Sequence, residues 1–309
     1  MSGEATRRET TGDAGLRRLE APGLDADGAW MRAAVEAFEP RLREIAGRGG
    51  GPAAWDELPG TGCGWTCRCC GRAAGVRRLD LDRWKDRGPA ALAARLAAAR
   101  RRGEGVVLGA AADPWGGDAG RRGRTRALLA ALAESEELEI AVLTASPLVT
   151  CDLDLLAALD APHSLTVELS LPTADPSLAR ALAPAAHPPA ELLAAAGELA
   201  AHGLAVRLRL RPLMPGINDG DRGLARLLAA AADAGALDVA ASPLVLPHGR
   251  ARARFLAWLT AARPDLAPGY RRLYRLRTRL PAAERDPLLA PFHRLHLAHG
   301  FPKSRPGRG

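Results

Sequence analysis

From residue 89 onward the chain alternates between two kinds of stretch. Ala/Leu/Arg-rich segments with helical spacing are followed by short apolar runs bounded by glycine or polar residues. The pattern predicts helices over 89–102, 124–136, 152–159, 189–202 and 221–234. It predicts strands over 105–111, 138–144, 164–170, 204–210 and 237–244. Gly203 and Gly235 stop two of the helices, and Asp152 is expected to cap another. Repeated β–α units imply parallel strands, right-handed crossovers and function at the strands' C-terminal ends. The expected fold class is therefore α/β, a partial (β/α)6 TIM-like barrel.

The flanks read differently. Residues 1–28 are polar, Gly-rich and charged, and are expected to be disordered. A helical pattern over 29–46 runs through Trp30, Ala33, Val35, Phe38 and Leu42, and Pro40 weakens or divides it. GRGGGP at 47–52 is a flexible joint, and 55–58 is a short strand leading into a cysteine-rich loop. Beyond Gly249 helices are expected over 252–262, 270–280 and 287–299. The expected organisation is an N-terminal segment (1–50), a barrel (51–248) and a helical C-terminal extension (249–309). No internal repeat is visible.

Composition adds limits. At 47% hydrophobic residues but only 4% aromatics, the core must be filled by Leu, Ala and Val. The net charge of +8 permits an anionic partner, nucleic acid included, and is equally compatible with an arginine-rich solvated surface. The N-terminus has no apolar signal region, and no window of about 18 apolar residues suggests a membrane span. Four of the five cysteines fall within 63–70, which is a metal-binding pattern rather than a disulfide framework. The cytoplasm is the expected compartment.

The loop reads TGCGWTCRCCG over 61–71, with Cys63, Cys67, Cys69 and Cys70. Clustered thiolates suit zinc, copper(I) or an iron–sulfur cluster. Structural zinc needs four ligands in a closed tetrahedron, and knuckles usually supply them as two separated pairs. Here every candidate is in one loop, and Cys69 beside Cys70 is a strained choice for the fourth. A [4Fe-4S] cluster usually takes four thiolates, so Cys63, Cys67 and Cys70, spaced C-x3-C-x2-C, would leave one iron open.

That spacing resembles the CxxxCxΦC motif of the radical S-adenosylmethionine enzymes, with Cys69 where an aromatic residue is usual. The resemblance runs from about residue 55 to 258 and is to an actinobacterial group similar to spore photoproduct lyases. Its further motifs are Ala112-Asp113-Pro114-Trp115, Thr125-Arg126, Thr144-Ala145-Ser146, the Thr150–Leu156 stretch, Ser170-Leu171-Pro172-Thr173-Ala174-Asp175 and Pro215-Gly216-Ile217-Asn218-Asp219. Each follows a predicted strand. The resemblance implies that Cys63, Cys67 and Cys70 hold a [4Fe-4S] cluster whose open iron binds S-adenosylmethionine. Reductive cleavage would then give a 5′-deoxyadenosyl radical that abstracts hydrogen from a substrate. It further implies cofactor contacts from Asp113 and Trp115 near the methionyl moiety and from Ser170 at the ribose. Thr144 and Ser146 would line the same cavity, and Asn218 would approach the adenine. An external flavodoxin- or ferredoxin-like electron donor is the implied partner.

The sequence also departs from the group. Ala145 replaces the lysine of T-K-S, and Gly116-Gly117-Asp118 replaces acidic and amide residues. Ala110 stands where photoproduct lyases carry a hydrogen-donating cysteine, so thymine-dimer repair is not expected. Two rival readings remain: a degenerate barrel whose cluster is structural or electron-transferring, and a zinc-dependent nucleic-acid-binding protein.

Four smaller features complete the picture. His293, His296 and His299 share roughly one helix face, as metal ligands or a polar surface. Arg207, Arg209 and Arg211 point to one side of a strand, either into the barrel or toward helices. Arginines 250, 252, 254, 271, 272, 275, 277 and 279 make the C-terminal region basic, either a nucleic-acid-binding surface or a solvated face. Cys151, at an expected helix start, would there have a lowered pKa; otherwise it is a small buried residue.

Overall fold

The computed structural model describes residues 78–80, 89–102, 105–109, 113–116, 119–134, 138–160 and 163–301. The expected helix over 29–46, the strand over 55–58 and the cysteine loop lie outside the described residues. Within them the elements are β1 (Arg78–Asp80), α1 (Pro89–Arg101), β2 (Gly105–Leu108), α2 (Ala119–Ala133), β3 (Glu139–Thr144), a 3-10 turn (Pro147–Asp152), α3 (Leu153–Asp160), β4 (Ser164–Ser170), α4 (Pro176–Leu182), α5 (Pro189–Ala201), β5 (Val206–Leu213), α6 (Asp221–Asp233) and β6 (Asp238–Pro243). Helices α7 (Arg250–Ala262), α8 (Ala267–Leu273) and α9 (Ala282–Ala298) follow.

The six strands form one parallel sheet in sequential order, β1 to β6. Same-handed crossovers in that order put every connecting helix on one face, so the sheet is a partial (β/α)6 barrel. Strand residues alternate between its two sides. Val106, Leu108, Ile140, Val142, Val167, Leu169, Val206, Leu208 and Val239 are essentially inaccessible and form the helix-side core. The register carries Thr166, Glu168 and Ser170 of β4 onto the other side with Arg207 and Arg209 of β5. Along β4 and β5 this inner face is polar, with Thr166, Ser170 and Arg209 half-buried and Glu168 buried, whereas Val107 and Ala141 of β2 and β3 are buried on the same side.

The C-terminal extension closes the β6 side. Helix α9 packs on α6 and β6. Its His296 is buried between Phe292 and Phe301 and donates from Nε2 to Asp238 Oδ1 at 2.7 Å. His293 is exposed, and among the described residues no group of His, Cys, Asp and Glu is arranged to hold a metal. No helix among them is long and apolar enough to cross a membrane.

Several boundaries differ from expectation for local reasons. Asp152 does not cap a helix: Ser146 caps a 3-10 turn that runs directly into α3, and Asp152 is buried at its end. Asp175 caps the unforeseen α4 by accepting from the Ser177 and Leu178 amides. The helix expected over 270–280 ends at Leu273, and α9 begins five residues ahead of Pro287.

Candidate active site at the strand tips

The tips of β2 and β3 are locked together by backbone geometry first. Gly109, just past β2, has φ +93°, and a Cβ there would sit 1.9 Å from the Leu143 carbonyl oxygen. Only glycine tolerates both conditions. The following turn presents Asp113, which is 8% exposed. Its Oδ1 accepts from the Trp115 amide (3.0 Å) and the Thr144 hydroxyl (2.7 Å). Its Oδ2 accepts from the Ala145 amide at 2.6 Å. Thr144 in turn accepts from the Ser146 amide at 3.0 Å, and the buried Ser146 hydroxyl accepts from Leu148 N. Four of the expected cofactor-contact residues, Asp113, Trp115, Thr144 and Ser146, are thus brought together, with their polar atoms engaged within the chain.

A second network backs the first on the helix side. Trp115 is fully buried, and its Nε1 donates to Asp152 Oδ2 at 2.8 Å. Asp152 Oδ1 also takes Arg126 Nη1 at 2.6 Å, and Arg126 Nη2 reaches Asp154 Oδ2 at 2.7 Å. Thr125 donates to the Pro114 carbonyl at 2.6 Å. Separate motifs in the sequence therefore join the β2 tip, α2 and the 3-10 turn in one cluster.

The hydrogen bond from Arg126 pulls the Asp154 carboxyl below its ordinary value, and the same pairing raises Arg126. A depressed folded-state pKa stabilises above the unfolded value of about 4 and is lost as pH falls through the lower folded value. Acid titration of Arg126→Gln, followed by tryptophan fluorescence, should therefore lack part of the stability loss the parent shows below about pH 4. The effect is small because Asp154 is exposed and solvent screens the pair.

Cys151 departs from both of its expected roles. It is exposed, and it lies near the C-terminal end of the 3-10 turn rather than at a helix start. Partial desolvation, with the neighbouring Asp152 charge second, raises its thiol pKa.

At the β4 and β5 tips, Asn218 is the brace. It is 8% exposed, accepts from Met214 N at 2.7 Å, and donates to the carbonyls of Pro172 (2.8 Å) and Pro212 (2.9 Å). It ties the Pro215–Asp219 loop to the loop after β4. Beside it an open cleft lies between the loop after β4 and α6, with Pro172, Leu178, Ile217 and Leu224 as apolar walls and Thr173 and Arg226 as polar ones. Ser170 differs from the other five expected contacts because it is only half-buried, on the inner face.

Register places two of the three strand arginines, and Arg211 falls at the register shift between Leu210 and Leu213. Arg207 pairs with Glu168 and Arg209 with Ser170 across the β4–β5 ladder, so Arg207 and Arg209 face the polar interior. Glu168, buried at 7% side-chain exposure, makes an ion contact with Arg209. Sequence reasoning did not single out Glu168. Its signal was present as the polar positions 166, 168 and 170 in an otherwise apolar strand.

Comparisons with known proteins follow this geometry. A model of the radical SAM superfamily matches residues 58–228. Over 236 residues the chain is 31% identical to the uncharacterized protein Rv2578c of Mycobacterium tuberculosis, covering 74% of this chain and 69% of that one. The figures for the uncharacterized protein Mb2609c of Mycobacterium bovis are the same. Among solved structures, Streptococcus suis SuiB bound to S-adenosylmethionine is 17% identical, with TM-score 0.43 over 68% of this chain and 42% of that chain. SuiB bound to its precursor peptide SuiA is 16% identical, with TM-score 0.46 over 70% and 45%. The chain spans less than half the length of SuiB.

Proposed function

The chain belongs to the radical SAM superfamily, and on that premise we propose that it uses a [4Fe-4S] cluster and S-adenosylmethionine to abstract hydrogen from a substrate. One observation carries the reading: Cys63, Cys67 and Cys70 lie near the start of the 58–228 stretch that matches the family. Three thiolates suit a cluster with one open iron. The inner face along β4 and β5 suits S-adenosylmethionine, because it offers the half-buried Ser170 hydroxyl and Arg209 guanidinium beside a buried carboxylate, Glu168. Bound together, cluster and S-adenosylmethionine supply a 5′-deoxyadenosyl radical, and the protein's part is positioning and exclusion of water.

Residue roles follow from exposure. Ser170 is assigned the direct polar contact, since its hydroxyl is on the inner face. Asp113, Trp115, Thr144, Ser146 and Asn218 are assigned as positioning residues that hold the β2, β3 and β5 tips in one arrangement. The Glu168–Arg209 contact keeps the guanidinium on the inner face, directed by a buried carboxylate. Electrons for the cycle come from a flavodoxin- or ferredoxin-like donor.

The test is anaerobic reconstitution followed by reduction with S-adenosylmethionine. Release of 5′-deoxyadenosine and methionine is the expected result. A cluster-loaded protein that never releases them would favour a structural or electron-transferring cluster. Colourless protein holding stoichiometric zinc would sink the reading.

A further inference from the structure

The chain's charge imbalance is concentrated in one place. Residues 249–283 contain nine arginines and one aspartate, a net +8 equal to that of the whole chain, so all other segments together are balanced. The lone acid, Asp265, is already paired with Arg263 at 2.7 Å. Arg254, Arg271, Arg272, Arg275, Arg277 and Arg279 are all exposed.

Tertiary contacts set this segment beside the barrel mouth. Arg252 Nη2 donates to the carbonyls of Leu246 (2.8 Å) and Arg277 (2.5 Å), and its Nη1 to Arg275 O at 3.4 Å. Leu246 N donates to Thr278 O at 2.8 Å. The Tyr274 hydroxyl donates to Leu244 O and the Tyr270 hydroxyl to Pro215 O, each at 2.8 Å. Burial raises the Tyr274 pKa, so its hydroxyl stays a donor. Residues 270–279 therefore lie over the backbone leaving the C-terminal ends of β5 and β6. The Arg252 contacts hold Arg275 and Arg277 beside the start of α7, where Arg254 stands.

Like charges concentrated on one exposed segment repel one another. Here the segment's own acids do not offset that repulsion. A protein partner would need an apolar interface centre, and an anionic membrane a broad apolar face. Among the large apolar side chains exposed on the described surface, this segment supplies only Leu276, at 77%. Interfaces with nucleic acid are instead polar and strongly cationic, and arginine forks match phosphate oxygens. We propose that this face docks the sugar–phosphate backbone of a nucleic acid beside the barrel mouth.

The test needs neither cluster nor S-adenosylmethionine, so it fails or succeeds independently of the radical reading. Fluorescence anisotropy of the full chain with a labelled single strand of about 20 nucleotides is measured between about 50 and 200 mM KCl. Six arginine–phosphate contacts predict a slope of log K against log salt of about −4, and Arg272→Ser/Arg275→Ser/Arg277→Ser should make it about 2 units shallower. The same variant should weaken binding at least about tenfold while keeping the parent's melting temperature, since all three side chains are exposed. The corresponding triple lysine variant should keep most of the slope. A parent slope near zero, an unchanged slope in the serine variant, or equal binding of poly-glutamate or anionic vesicles would overturn the proposal.

Discussion

Cys70→Ala is expected to yield a chain that takes up no stable [4Fe-4S] cluster, while Cys69→Ala loads like the parent. Adjacent residues project their side chains in different directions, so Cys69 and Cys70 are not interchangeable as ligands of one small cluster. The spacing C-x3-C-x2-C employs Cys63, Cys67 and Cys70, and a cluster with only two thiolates is lost to solvent or chelators. Iron and sulfide should fall from about four per chain to below one in Cys63→Ala, Cys67→Ala or Cys70→Ala, with the visible absorption lost. Release of 5′-deoxyadenosine should vanish in the same three variants. Equal loss of iron in Cys69→Ala and Cys70→Ala would overturn the ligand assignment.

Asp113→Asn should destabilise the protein nearly as much as Asp113→Ala, by about 1 to 3 kcal/mol. The reason is a count of acceptors. Asp113 receives one backbone N–H on each oxygen, from Trp115 and Ala145, and the Thr144 hydroxyl besides. An asparagine has a single acceptor oxygen, so in either orientation its NH2 group faces one of those amides. A buried donor left against another donor costs about 1 to 3 kcal/mol, more when the lost partner was charged. Urea unfolding of the apo-protein measures this directly. A change below about 1 kcal/mol in Asp113→Asn would show that the carboxylate is not the brace described. In a purely ligand-contacting role, Asp113 would alter cofactor affinity and leave the apo-protein's stability unchanged.

These two predictions concern regions of opposite legibility. The cysteine assignment is drawn without any coordinates, because it depends only on spacing along the sequence. The role of Asp113 could not be drawn that way, because its partners Thr144 and Ala145 are 31 and 32 residues away in sequence. The same distinction separates Asp152 as expected from Asp152 as found. A polar residue ahead of an apolar helical run is the ordinary sign of a cap. Burial beside Trp115 and Arg126 gave it a different duty, and Ser146, six residues earlier, took the cap.

Cys151 makes a similar point about electrostatics. A thiol at a helix start is acidified by the helix dipole. In the fold, partial desolvation, with the neighbouring Asp152 charge second, raises the Cys151 pKa instead. The histidines of α9 were also ambiguous along the sequence. Their spacing allowed one face, yet packing sent only His296 inward, onto Asp238.

By itself the sequence determined the alternation of apolar runs and helices, and with it a parallel sheet of β–α units. These depend on hydrophobic period and on turn residues, which are local properties. It also supplied the motifs that tie the chain to its family. Tertiary structure alone decided which face each polar residue joined. Register turned an alternating arginine strand toward the interior and gave Arg209 its partner Glu168. Contacts among distant loops gave the polar atoms of Asp113, Thr144 and Asn218 partners within the chain, and packing of α8 set a cationic segment beside the barrel mouth. Each of these outcomes depends on which groups meet after the chain has closed, and a buried polar atom must find its partner wherever the fold brings one.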